Sequence, residues 1–127
     1  MPKKILIVDD ETEVLQLLEK KLVTSGYTVV KTDSGREAIL MAKTQKPDLI
    51  LLDIMMPNMD GPEIAAALRE DPVTADTPVL FLSGIVTKED ENDPQGGVTI
   101  KGRPYKVISK PFNFAELLTE VKKILEV

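Results

Sequence analysis

Four short apolar runs punctuate the chain: Ile5 to Val8, Leu49 to Leu52, Val79 to Leu82 and Val107 to Ile108. Each is too short for a helix and has no polar position inside it, the pattern of a strand buried on both faces. A fifth candidate, Tyr27 to Lys31, is less apolar and reads as a strand nearer an edge. The segments between them change period. From Glu11 to Ser25, the residues Val14, Leu15, Leu18 and Leu22 form one helical stripe, and Gly26 stands where a C-terminal cap belongs. Ser34-Gly35-Arg36-Glu37 reads as a capping box, and Asp60-Gly61-Pro62 puts proline at a first helical position. Asn113 with Glu116 repeats the cap pattern ahead of Phe114, Leu117, Val121 and Ile124. Alternating strand and helix predict an α/β fold, a doubly wound five-stranded parallel sheet joined by right-handed crossovers. In such sheets the ligand crevice lies at the carboxyl ends of the strands.

The apolar runs end on residues of one chemical kind: Asp9 and Asp10 after the first, Asp53 after Leu52, Ser83 after Leu82, and Lys110 soon after Ile108. The topology gathers all of them at one edge of the sheet. A carboxylate at the mouth of a buried strand is costly unless a charge meets it, and three of them together call for a cation. Asp9-Asp10 also lies where it could cap the first helix, Asp10 in particular.

Composition narrows the choice of cation and partner. The 127 residues contain neither cysteine nor histidine, which removes thiolate and imidazole ligands and the commonest general base. A metal here must be hard and oxygen-bound, and Mg²⁺ suits a few carboxylates plus phosphate oxygens. A net charge of −5, with Lys and Arg spread among acids, argues against a nucleic-acid surface. No apolar run approaches the length of a signal core or a membrane span, so the expectation is a cytoplasmic protein. Lys110 offers a point charge and Ser83 a hydroxyl, both suited to the oxygens of a phosphoryl group on Asp53.

Taken together, Asp9-Asp10, Asp53 with the loop from Met56-Pro57 to Asp60-Gly61, Ser83-Gly84 and Lys110-Pro111-Phe112 carry a specific likeness. The chain resembles the receiver domains of bacterial two-component response regulators, of the chemotaxis-regulator kind, with residues 1–127 as one domain. The resemblance implies a flavodoxin-like sheet of strand order 2-1-3-4-5. It implies that Asp53 is the phosphoacceptor, taking its phosphoryl group from a phosphohistidine on a sensor histidine kinase or phosphotransfer protein. Asp10 and Asp53 would then ligate Mg²⁺ directly, Asp9 mainly through water, and Met55 through its backbone carbonyl. Lys110 would pair with one phosphoryl oxygen and Ser83 would donate to another. The Lys110-Pro111 bond is cis in the family. Such a domain is a signalling switch rather than an enzyme, with output through protein binding, as a monomer or a phosphorylation-linked dimer.

Two rival readings stand beside this one. The chain could be the receiver cut from a longer regulator with an output domain. It could instead be a Mg²⁺-dependent phosphatase working through an aspartyl phosphate, although that class wants a second aspartate where this chain has Met55.

Three departures from the family pattern carry expectations of their own. Residues 84–109 form a stretch of 26 positions, several more than usual, in which a fourth helix starting near Thr87 would be ended early by Pro94 and Gly96-Gly97. Val98 to Tyr105 reads as a loop or short extended excursion around Gly102-Arg103-Pro104. Val107 stands where relatives commonly have an aromatic ring, with Tyr105 two residues earlier on the same face of a regular strand. Output is therefore expected to run through the unusual fourth segment. Met55 and Ile85, two residues past Asp53 and Ser83, are apolar, which favours slow loss of the phosphoryl group to water. The Met55, Met56 and Met59 cluster is expected to be loop packing.

Overall fold

A computed structural model describes residues 2–56, 59–83, 97–100, 103–109 and 112–126. In chain order the elements are β1 (Lys4–Val8), α1 (Thr12–Thr24), β2 (Thr28–Thr32), α2 (Gly35–Gln45), β3 (Leu49–Asp53), α3 (Gly61–Glu70), β4 (Val79–Ser83), β5 (Gly97–Ile100), β6 (Arg103–Ser109) and α4 (Phe114–Leu125). Five strands run parallel in the order β2-β1-β3-β4-β6, which is the expected doubly wound, flavodoxin-like arrangement. A sixth strand, β5, adds antiparallel to the outer side of β6.

Each predicted apolar run is a strand, extended by a residue or more. Ile5, Leu6, Ile7 and Val8 are completely buried, as are Leu49 to Leu52. Alternate residues face opposite sides, so the sheet has two cores. On one side Ile5, Ile7, Leu49, Leu51, Leu80 and Leu82 meet Leu15, Leu18 and Leu22 of α1 and Leu117 and Val121 of α4. On the other, Leu6, Val8, Ile50, Leu52 and Phe81 meet Ala38 and Ala42 of α2 and Ile64, Ala65 and Leu68 of α3. Small alanines on α2 let that helix approach the sheet closely.

The helix ends follow the sequence cues, with three adjustments. Gly26 adopts φ +99°, and the N–H groups of Gly26 and Tyr27 donate to the carbonyls of Val23 and Leu22, closing α1 in a Schellman motif. At its other end the N-cap is Glu11, with no side-chain cap bond, so neither Asp9 nor Asp10 caps α1. The Ser34 hydroxyl accepts from the Glu37 N–H, but the Glu37 carboxylate meets the Thr32 hydroxyl instead of returning to Ser34, so only half of the capping box forms. Asp60 caps α3 through the Glu63 N–H, and Pro62 is the second helical residue because Gly61 is the first. Asn113 caps α4 by accepting from the Ala115 N–H.

The apolar pattern did not mark β5, and Val107-Ile108 is the far end of a seven-residue strand. Within the stretch expected to be a loop or short extended excursion, the described residues are extended: β5 pairs antiparallel with the start of β6, Val98 opposite Tyr105 and Ile100 opposite Arg103. The expected start of a helix near Thr87 lies outside the described residues. Tyr105 and Val107 do share a face, and both pack on the α2 and α3 side, where the Tyr105 ring meets Phe81 edge-on at 5.3 Å. That contact fills the sheet beside β4 with an aromatic pair.

Candidate functional site

Sheet register brings the polar residues together. Val8 pairs with Leu52, so Asp9 and Asp53 leave the sheet side by side; Asp53 pairs with Leu82, one residue before Ser83; and Ser83 pairs with Ser109. Gly84 and Lys110, next along the chain from Ser83 and Ser109, lie outside the described residues, as do Pro111 and Ile85. Asp9, Asp53 and Ser83 are buried to within 3% of complete, whereas Asp10 is exposed. One carboxylate oxygen from each of Asp9, Asp10, Glu11 and Asp53 lies within 4.8 Å of the others.

Backbone geometry explains how the acids are held. The Asp9 N–H donates to the Thr32 carbonyl at 3.3 Å, tying the end of β1 to β2, and the Asp9 carboxylate accepts from the Glu11 N–H at 2.9 Å. The Asp53 carboxylate accepts from the Met55 N–H at 3.2 Å, so the turn after β3 folds back onto the acid it carries. Beyond it, the Ile54 N–H donates to the Leu82 carbonyl and the Gly61 N–H to the Ile54 carbonyl, which lays the start of α3 against the end of β3. This approach requires glycine: a Cβ at position 61 would stand 2.6 Å from the Asp53 carbonyl oxygen and 2.9 Å from the Ile54 Cα. Gly61 thus sets how near the α3 N-terminus comes to Asp53.

The three methionines of this loop divide. Met56 is buried and Met59 packs partly on the same core, as loop packing requires, while the Met55 side chain is 55% exposed. Its backbone stays beside Asp53 through the N–H contact. Glu11 joins the acids without having been expected there, although its place directly after Asp9-Asp10 is the signal that could have drawn attention to it.

Comparisons with known proteins bear on the family and the fold. The model of the response regulator receiver domain matches residues 5–122. The chain belongs to that family. Over 98% of its length this receiver is 41% identical to the alkaline phosphatase synthesis transcriptional regulatory protein PhoP of Bacillus subtilis, and it covers 49% of that protein. It is 35% identical, over 97% of its length, to the phosphate regulon transcriptional regulatory protein PhoB of Pseudomonas aeruginosa, covering 52%. The receiver thus spans about half the length of these curated relatives. Among solved structures, chemotaxis protein CheY4 of Vibrio cholerae superposes with a TM-score of 0.83 at 30% identity, covering 98% of this chain and all of that one. The receiver domain of sensor histidine kinase PA1611 from Pseudomonas aeruginosa, solved with magnesium coordinated in its active-site cleft, superposes over both full chains with a TM-score of 0.82 at 25% identity.

Proposed function

We propose that this receiver accepts a phosphoryl group on Asp53 from the phosphohistidine of a sensor histidine kinase or phosphotransfer protein, and holds it as a signal. The observation that carries the reading is the convergence of the Asp9, Asp10 and Asp53 carboxylates at the carboxyl ends of β1 and β3, with Ser83 beside them at the end of β4. In the transfer, an Asp53 oxygen forms the new O–P bond as the N–P bond to the donor imidazole breaks. The electron pair of that bond stays with the ring nitrogen, and the imidazole leaves neutral when its other nitrogen carries a proton. The attacking carboxylate is already an anion, so no general base is needed.

The donors fit a hard divalent cation: every side-chain ligand is a carboxylate oxygen, and the chain contains no histidine or cysteine. Asp10, Asp53 and the Met55 carbonyl would hold Mg²⁺ directly and Asp9 mainly through water, and the ion would neutralise charge on the transferring group. Ser83 donates its hydroxyl to one phosphoryl oxygen and Lys110 pairs with another. The Met55 N–H already points at Asp53 and positions its carboxylate. Met55 and Ile85 make hydrolysis slow.

The protein acts as a switch in the cytoplasm, as a monomer or phosphorylation-linked dimer, with output through protein contacts. The net charge of −5 and the exposed acids at the site disfavour direct contact with nucleic acid. Among the described residues no helix is long and apolar enough to cross a membrane. Incubation with acetyl phosphate and Mg²⁺, with intact-mass measurement as the readout, tests the central claim. The wild type gains the mass of one phosphoryl group, and Asp53→Asn gains none while keeping its fold. Equal labelling of the Asn variant would remove Asp53 from the role. Steady turnover of a phosphomonoester by the wild type would favour the phosphatase reading instead.

A further inference from the structure

Every sulfur atom in this chain is a thioether: there are five methionines, and neither cysteine nor tryptophan. Methionine is therefore the side chain most open to oxidation by a peroxide, and exposure decides which one reacts first. Burial separates the methionines among the described residues. Met56 is 8% exposed, and Met41 and Met59 are partly buried against the core under α2 and α3, whereas Met55 is 55% exposed.

The place of Met55 gives that exposure a consequence. Its N–H donates to the Asp53 carboxylate at 3.2 Å, so the side chain is rooted on the turn that folds back onto an acid itself only 3% exposed. Three rotatable bonds let an exposed thioether range over the solvent next to its anchor. Two other roles for a thioether fit this place less well. Soft metals want several sulfur ligands, and the cluster around Asp53 offers carboxylate oxygens. A docking surface wants a contiguous apolar patch, and among the described residues of its loop Met55 alone is an exposed large hydrophobic.

We propose that Met55 is a reversible oxidation site whose sulfoxide shortens the life of the phosphoryl group on Asp53. The inference rests on the reading of Asp53 as phosphoacceptor and adds an oxidant as a second input to the same switch. The oxidant is a peroxide such as hydrogen peroxide. A lone pair of the Met55 Sδ attacks one peroxide oxygen as the O–O bond breaks and the S–O bond forms. The departing hydroxide takes the proton of the transferred hydroxyl and leaves as water, so sulfur is oxidised and the peroxide reduced. The thioether is apolar and sheds water; the sulfoxide oxygen accepts hydrogen bonds and holds water beside the acyl phosphate. The barrier to hydrolysis that Met55 provides is thereby removed without unfolding the loop, because Met56 and Met59, which pack on the core, keep their sulfur unoxidised.

The test compares the untreated full chain with a sample exposed to dilute hydrogen peroxide until peptide mass mapping shows one added oxygen. That oxygen is expected on Met55, ahead of Met41, Met56 and Met59. Both samples are labelled with acetyl phosphate and Mg²⁺, freed of donor, and followed by intact mass. The oxidised sample should lose its phosphoryl group about threefold or more faster. Treatment with reductases for both sulfoxide epimers should restore the slow decay. Within Met55→Leu, peroxide should leave the decay unchanged, and Met55→Gln should decay fast without any peroxide. Oxidation of Met56 or Met59 as readily as Met55 overturns the proposal, as does a decay that ignores oxidation or an equal response to peroxide in Met55→Leu. In each of these cases Asp53 is labelled, and the phosphoacceptor reading stands. An untreated chain that takes no phosphoryl group sinks that reading, and the inference with it.

Discussion

The two edges of the sheet are built differently. β2 pairs with β1 through five consecutive residues, and its Val29 packs into the core that α1 helps to form. It carries an exposed Lys31, whose ammonium meets Glu19 of α1 at 2.7 Å. β5, by contrast, pairs among the described residues with β6 alone, and β6 divides its length: Arg103 to Lys106 serve β5 while Val107 to Ser109 serve β4. One edge is held by a helix and blunted by charge; the other is an outgrowth of a single strand. The difference locates where this receiver departs from a plain doubly wound sheet, and it lies on the far side of β4 from the acids.

The joint between the outgrowth and the sheet is the contact of Tyr105 with Phe81, and breaking it has the largest expected effect. Phe81 is fully buried, so Phe81→Ala should cost about 3–5 kcal/mol in urea unfolding. Tyr105→Leu keeps bulk but loses the edge-to-face geometry, and a double-mutant cycle should return a coupling of about 0.5–1.5 kcal/mol. A coupling near zero would mean that the hairpin is anchored by β6 pairing alone.

Second in size is the site side of the sheet. Gly61→Ala places a methyl group against the Asp53 carbonyl and the Ile54 Cα, both backbone atoms that cannot swing away. The expected cost is about 1–3 kcal/mol of stability. Acetyl phosphate labelling should slow about tenfold or more, since small displacements of a nucleophile are expensive. Gly35→Ala is the control: there the new methyl would meet the far end of the Ile64 side chain and, at 3.3 Å, the Met59 Cβ, side-chain atoms rather than the backbone that carries Asp53, and labelling should change far less.

The same contrast explains what the sequence could and could not reveal. Leu49 to Leu52 and Ile5 to Val8 are apolar without a break because both faces are covered, so strand and parallel sheet were legible together. Asp9, Asp10, Asp53 and Ser83 were legible because each terminates such a run, and register does the rest. β5 was legible only as part of a loop or short extended excursion and not as a strand of the sheet: Gly97-Val98-Thr99-Ile100 is short, begins with glycine and, among the described residues, pairs along one edge, so neither alternation nor a long apolar run marks it. Pro104 is accommodated in β6 because its partner position, Thr99, needs no hydrogen bond from it. Glu37 was read as half of a reciprocal cap, but a buried Thr32 hydroxyl competes for it, a tertiary contact invisible to a local motif.

Smaller effects are expected at the β2 edge, where the contacts are exposed. Both side chains of the Lys31–Glu19 pair are 38% exposed, so the pair is screened and a double-mutant cycle should give about 0.2–1 kcal/mol, falling with salt. If Lys31 chiefly blunts the edge, Lys31→Val should instead promote association between chains at high concentration, measured by sedimentation.

The smallest effect concerns Tyr27, which precedes β2 and reaches across to the end of α4, its hydroxyl 3.4 Å from the Glu126 carboxylate. Burial raises the Tyr27 pKa above 10.0, and the negative charge of Glu126 and the hydrogen bond to it add to the shift. A raised pKa means that the folded chain holds this proton more tightly than the unfolded chain does. The stabilisation is complete below the unfolded-state value near 10 and is lost as pH rises through the higher folded-state value. Unfolding free energy should therefore decline above about pH 10 more steeply in the wild type than in Tyr27→Phe. At neutral pH the two should differ little, since a 3.4 Å contact is a weak hydrogen bond. Identical alkaline slopes would mean that Glu126 does not stay against the ring in solution, and that the β2 edge is held by the sheet and α1 without help from the end of α4.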